Sequence, residues 1–248
     1  MSGHSKWSTI KRKKGALDAK RSKIFSRIAK EITIAVKDGG GNSPEMNPRL
    51  KSAIQNAKGA NVPKDVIARA ITKGEGAGEN YSETTFEGTG PGGVGIFVEC
   101  LTDNNQRTVS NVRSIFSKRG GTLGKNGSLS FLFDRKGIFT IAKGNLNIED
   151  IELELIDSGL EDIETSEEHF IITTALEDFG KMQKKLEEMN IEAENAELQR
   201  IPNTTKTVDL STAHKVLRLI EMLEDDDDVQ NVFHDLEMTD ELEKELQE

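Results

Sequence analysis

Ten of the first thirty residues are cationic: Lys6, Lys11, Arg12, Lys13, Lys14, Lys20, Arg21, Lys23, Arg27 and Lys30, with Asp18 the one acid among them. Side chains of this type at this density suit one chemistry above others. Each can neutralise a phosphate of a nucleic acid and release a condensed counterion. Trp7, the single tryptophan, falls outside any helical stripe. Its ring either stacks on a base or staples the arm onto the helices behind it, and the staple is slightly favoured. Little other aromatic surface lies near, which favours contact with the phosphate backbone over stacking on bases.

The basic end stands out because the protein as a whole is acidic, with a net charge of −10. Through Lys73 there are 17 Lys and Arg against 5 Asp and Glu, a net of +12. The remainder holds 16 against 38, a net of −22. Charge sorted in this way speaks to partners, not to fold. One arm is suited to a polyanion, and the body behind it repels the same polyanion. Arg107, Arg113, Lys118 and Arg119, on a predicted helix of the body, extend the basic track.

Other chemistries find no matching pattern. Gly88-Thr-Gly90-Pro-Gly-Gly93 matches G-x-G-x-x-G, but a dinucleotide site needs that turn to open a helix, and VGIFVEC reads as a strand. A glycine-rich hairpin is the simpler reading. GKNGS, residues 124–128, lacks the Walker spacing and reads as a turn. It also spells G-x-x-G, but between a helix and a strand, not between the two helices of a KH module. His4, His169, His214 and His234 are scattered, with no metal-ligand spacing. Cys100 closes an apolar strand as a buried structural thiol. The run Glu224-Asp225-Asp226-Asp227-Asp228 lacks the alternation of a calcium loop and reads as a solvated helix end. No two carboxylates pair by spacing as acid and base, so no catalytic residue, metal or cofactor is expected.

The elements that must carry the basic arm follow from hydrophobic period. Ile24, Phe25, Ile28, Ile32, Ala35 and Val36 recur at helical steps and stop at Gly39-Gly40-Gly41. Asn47-Pro48 caps a second helix with Leu50, Ala53, Ile54 and Ala57 inward. A third runs from Pro63 to Gly74. GEGAGEN, residues 74–80, reads as a linker. From Tyr81 the period shifts to two strands joined by the glycine turn, a helix over NNQRTVSNVRSIFSK, and a strand at SLSFLF. A strand at Ile138–Ala142, a helix at 147–157, strands at 161–164 and 170–174, a helix at 176–189 and a strand at 192–200 give βαββαβ, the ferredoxin-like order. The helix over STAHKVLRLIEML and the strand VQNVFHD then supply what residues 81–133 lack. The expected fold is α+β: a basic three-helix domain (1–74), an α/β domain in two pieces (81–133 and 208–248), and a ferredoxin-like domain (135–203) inserted into it.

One cysteine in 248 residues rules out an internal disulfide framework and suits a reducing compartment. No apolar run approaches a membrane span, and the charged start is unlike a secretory signal. An organelle transit peptide is the weaker reading of that start, because its charges run on into a helix with core-facing spacing. A cytoplasmic protein is expected.

The residues also carry a resemblance. GHSKW followed by IKRKK, DAKR and KIF, then GGG and NPRL, resembles the opening of the YebC family of probable transcriptional regulatory proteins. That family includes the mitochondrial translational activator of cytochrome c oxidase. EGTGPGG, ECLTDNNQRTVSNVR, FSKRGGTLGKNGS and RLIEMLEDDDDVQNVFHD extend the similarity over nearly the whole chain, with Phe131 standing where the pattern has tyrosine. The resemblance implies a helical N-terminal domain, two α/β domains and nucleic-acid work without catalysis. It does not choose between DNA-binding regulators and ribosome-associated translation factors. The expected protein is non-enzymatic and binds nucleic acid, read first as a transcriptional regulator on DNA. In this reading Lys6, Lys11 to Lys14, Lys20, Arg21, Lys23 and Arg27 contact phosphates. The alternative is a translation factor on ribosomal RNA, which the lack of an evident helix-turn-helix reading element favours. KGIFTI, residues 136–141, has a faint likeness to an RRM's RNP1 strand, but on the first strand instead of the third. The acidic domains restrict where the arm docks or meet a protein partner.

Overall fold

The apolar stripe that ends at Val36 lies along one helix, α1 (Asp18–Asp38), followed by α2 (Pro48–Gly59) and α3 (Lys64–Glu75). The computed structural model describes residues 18–76 and 81–247, with the side chains of 18–20 and of 247 outside that description. Ile32, Ala35 and Val36 meet Leu50, Ala53, Ala57, Val62 and Ala70 in a small core. Asn47 locks the first two helices together. Its Oδ1 caps α2 by accepting from Leu50 N at 3.0 Å, while its Nδ2 donates to Ala35 O at 2.6 Å and Gly41 O at 2.8 Å. Such a cap satisfies donors that a helix start otherwise leaves orphaned.

From Ile24 on, these helices share a compact unit with residues 135–200; of the described residues, 18–23, 81–134 and 201–247 form the other. In the helical unit, β4 (Phe133–Ala142), α5 (Ile148–Ile156), β5 (Leu160–Thr165), β6 (His169–Ala175), α6 (Phe179–Glu188) and β7 (Ala193–Pro202) follow in sequence. Their sheet has the order β5-β6-β4-β7, the ferredoxin-like arrangement. Phe139, Ile141, Phe170 and Ile172 of the strands bury against Ile151, Leu155, Met182 and Leu186 of the helices.

Strand β7 is an edge, and edges need cover. Helix α2 supplies it with amide side chains in place of a strand. Asn56 Oδ1 accepts from Ala196 N at 2.8 Å and Nδ2 donates to Ala196 O at 3.0 Å. Gln55 Nε2 donates to Ala193 O at 2.9 Å. Gly59 permits the approach: a Cβ there would lie 1.8 Å from Glu194 O. The helices expected as a domain of their own are thus fastened to the ferredoxin-like module.

In the other unit, β1 (Ser82–Thr89) and β2 (Gly95–Thr102) form an antiparallel hairpin across the glycine turn, followed by α4 (Asn105–Lys118) and β3 (Thr122–Leu123). From the far end of the chain come α7 (Leu210–Glu224), β8 (Val229–His234) and α8 (Asp240–Gln247). Strand β8 pairs antiparallel with β2, from Ile96 opposite His234 to Cys100 opposite Val229. The sheet β3-β1-β2-β8 is therefore closed by segments on either side of the ferredoxin-like insertion. Val112 and Phe116 of α4 and Val216, Ile220 and Leu223 of α7 cover one face, with Cys100 buried among them. One expected strand is corrected. SLSFLF does not form a strand over its length: Ser130–Leu132 make a 3-10 turn and β4 starts only at Phe133. Leu129 and Phe133 bury beside Phe97 and Phe233, with Leu132 packed against them, so the turn takes its shape from that small core.

Candidate nucleic-acid interface

Of the expected contact residues, Lys6, Trp7, Lys11, Arg12, Lys13 and Lys14 lie outside the described residues, as does the side chain of Lys20. Arg21 and Lys23 stand on the first turns of α1, Arg21 exposed and Lys23 half-buried. Lys23 Nζ donates to Asp225 Oδ1 at 2.9 Å and to Asp225 O at 2.7 Å. Arg27 is half-buried one turn on. Farther along the helix, Ile32, Ala35 and Val36 bury in the small core.

The four body cations divide into two kinds. Arg107 begins α4 and is engaged by carboxylates: its Nη2 lies 2.8 Å from Asp228 Oδ2 and 2.7 Å from Asp103 Oδ1, with Nε 3.1 Å from Asp228 Oδ2. Hydrogen bonds to Asp228, then to Asp103, hold its guanidinium above its ordinary pKa. Asp228 is only 3% exposed and also accepts from Thr108 Oγ1 at 2.9 Å. The acidic run read as a solvated helix end thus ends in a buried anchor. A charge run hides such a residue, because one member's partners lie about a hundred residues away in sequence. Arg113, Lys118 and Arg119 are exposed, with Arg119 Nε against Met222 Sδ at 2.6 Å.

The two glycine loops are tied to the protein's own groups. In the hairpin turn Gly92 and Gly93 take φ of 68° and 74°, a region that favours glycine. Lys206 Nζ donates to Gly93 O at 3.1 Å, and Asp235 Oδ1 accepts from Gly95 N at 2.8 Å. The GKNGS loop wraps the buried carboxylate of Glu87, which accepts from Gly127 N at 2.6 Å and from Leu129 N. The Gly127 and Leu129 N–H donors are thus occupied by the protein's own anion. Its tip carries exposed Lys125, a cation missed in the sequence reading. The signal that finds it is a gap in the acids: from residue 104 to 133 there are five Lys and Arg and no Asp or Glu.

Among the described residues, no group of three or more His, Cys, Asp or Glu could hold a metal ion. No helix among them is long and apolar enough to cross a membrane. An open hollow of about 500 Å³ is lined by Val36, Lys37, Gly41, Asn42 and residues 74–76, and Asn42 Nδ2 donates to Glu75 across it.

Comparison with known proteins decides the family. Residues 5–77 match the TACO1/YebC protein N-terminal domain, and residues 81–236 match the TACO1/YebC second and third domain. The chain belongs to the TACO1/YebC family. A probable transcriptional regulatory protein of Amoebophilus asiaticus is 51% identical over 240 residues, covering 95% of this chain and 98% of that protein. One from Rubrobacter xylanophilus is 46% identical over 245 residues, covering 98% of each. The crystal structure of a conserved hypothetical protein, Aq1575, from Aquifex aeolicus superposes with a TM-score of 0.80 at 42% identity, over 89% of this chain and 91% of that one. The YebC-family assignment agrees with the α+β fold and the inserted ferredoxin-like module.

Proposed function

We propose that this YebC-family chain is a non-enzymatic regulator that binds nucleic acid through its basic N-terminal module, acting first as a transcriptional regulator on DNA. The observation that carries the reading is the sorting of charge, +12 through Lys73 against −22 after it. The names of its relatives, probable transcriptional regulatory proteins, support it. Lys6, Lys11 to Lys14, Lys20, Arg21, Lys23 and Arg27 meet phosphates, with Arg113, Lys118 and Arg119 as the outlying track. Arg107 is left out of the contact set because its guanidinium serves Asp228. Lys23 would have to leave Asp225, an exposed pair of small worth.

A second reading, a translation factor on ribosomal RNA, is favoured by one feature. Helix α2 presents Asn56, Gln55 and Lys51 to the ferredoxin-like module and so is not offered to a major groove. Backbone contact then carries affinity, and that is common to DNA and RNA.

Two measurements test the proposal. Affinity for duplex DNA should fall with salt along a log–log slope of roughly −5 for six phosphate contacts; a flat response removes the arm. Neutralising Lys11, Arg12, Lys13 and Lys14 together should weaken all sequences alike. Sedimentation of lysate through sucrose then separates the targets. Recovery with ribosomes that survives DNase points to translation, and recovery with chromosomal DNA points to transcription.

A further inference from the structure

Thirty residues between Asp103 and Asp134 carry Arg107, Arg113, Lys118, Arg119 and Lys125 and no carboxylate. They belong to one unit, in the portion of the chain where acids outnumber bases by 38 to 16. With Arg107 engaged by Asp228, four exposed cations remain. The same stretch exposes Phe131, 71% accessible. Leaving a phenylalanine in water forgoes the free energy that burying its ring would supply.

That exposure is imposed by the backbone. Leu129 and Phe133 on either side are buried with Phe97 and Phe233. Leu129 N donates to Glu87, Leu132 N donates to Leu129 O at 3.0 Å, and Asn203 Nδ2 donates to Phe131 O at 3.2 Å. Asn203 N donates to Leu132 O at 2.9 Å. The tip bearing Lys125 is tied to the same carboxylate through Gly127 N, and Ser130 Oγ donates to Gly127 O at 3.0 Å. The ring and the cationic tip are thus fixed on one short framework, and the ring has no route into the core without breaking it.

We propose that Phe131 is a stacking platform for an unpaired nucleobase, with Lys125 of the adjoining loop holding a flanking phosphate. This rests on the nucleic-acid reading above and adds a second subsite with its own selectivity. A phenyl ring has no hydrogen-bonding group, so it accepts any base face and does not read sequence. A base inside a duplex hides its faces, so the subsite selects single strands, loops and bulges. The N-terminal cations see phosphates, which duplexes and single strands both offer. The platform is common to RNA and DNA, and the test distinguishes them.

The test measures binding of fluorescent oligouridine, oligothymidine and a blunt duplex to the full chain by anisotropy. Phe131→Ala should weaken both single strands by roughly 5- to 150-fold, the span found for removing one stacking aromatic. Duplex binding should stay as in the wild type. Phe131→Trp and Phe131→Tyr should keep near wild-type affinity for single strands. A loss confined to oligouridine would assign the subsite to RNA. Unchanged single-strand affinity in Phe131→Ala, or an equal loss on the duplex, overturns the platform. Because Phe131 is exposed, an unchanged melting temperature should accompany the substitution. Neutralising Lys11 to Lys14 is the separate control: if it weakens binding while Phe131→Ala does not, the platform fails and the arm stands. If it leaves all binding intact, the arm reading fails.

Discussion

Asp235 and Asp228 are carboxylates a few residues apart, and both are buried, but they are handled differently. Asp228 receives two guanidinium nitrogens and a hydroxyl. Asp235 receives one backbone N–H, from Gly95. Burial is the main cause that pushes the Asp235 pKa above its ordinary value, with the Gly95 hydrogen bond and Lys206 acting the other way. A raised carboxyl pKa means that the folded state holds its proton more tightly than the unfolded chain does. Stability from this group therefore falls as pH climbs from the ordinary carboxylate range through the raised folded value. Asp235→Asn keeps an oxygen for Gly95 N and removes the buried charge. Its melting temperature should exceed the wild type's near neutrality, and the gain should vanish in acid, where Asp235 is protonated in both states. Thermal melts across that pH range check this; a gain that persists in acid would mean that the charge is not its source.

At the scale of elements, the joint between α2 and β7 depends on a few exact contacts. Asn56 serves both backbone groups of Ala196, and truncation to alanine leaves a buried donor and acceptor unpaired at about 1–3 kcal/mol. Gly59→Ala forces a Cβ onto Glu194 O, a backbone atom that cannot swing aside. Both variants should lower the urea midpoint. Asn56→Ala should also speed hydrogen exchange at the Ala196 amide, while the amides of the central strand β6 keep their protection. This joint was not legible in the sequence. No local signal marks Asn56 or Gly59, because what they touch lies about 140 positions away. The helices themselves were legible, since Asn47-Pro48 and the spacing of Leu50, Ala53 and Ala57 are local signals. The βαββαβ order was legible for the same reason. SLSFLF misled because its alternation mimics a strand, while the turn depends on Glu87 and Asn203 from elsewhere. Among candidate site residues the cationic arm was plain as charge, but Arg107's engagement with Asp228 and the exposure of Phe131 needed coordinates.

For the whole molecule, the proposed nucleic-acid binding raises the question of how a protein of net charge −10 would approach a polyanion at all. Attraction at the amino end and repulsion from the acidic remainder both act over a Debye length, about 10 Å at 0.1 M salt. In the proposed complex, the basic side chains close to the polymer would exchange with condensed counterions and dominate. Farther away, the acidic surface sets an encounter penalty that limits the on-rate and favours approach with the basic end leading. Glu152, Asp162 and Glu192 are exposed acids of the ferredoxin-like module, outside the proposed contact set. Changing all three to their amides moves the net charge from −10 to −7 and removes no proposed contact. Duplex affinity should then rise a few-fold at low salt, mainly through faster association, and the gain should fade at high salt as screening hides the removed charges. Stopped-flow association rates across a salt series measure this. A gain equal at every salt concentration would mean that the substitutions act through a local contact, and the acidic body would lose its role in orienting the encounter.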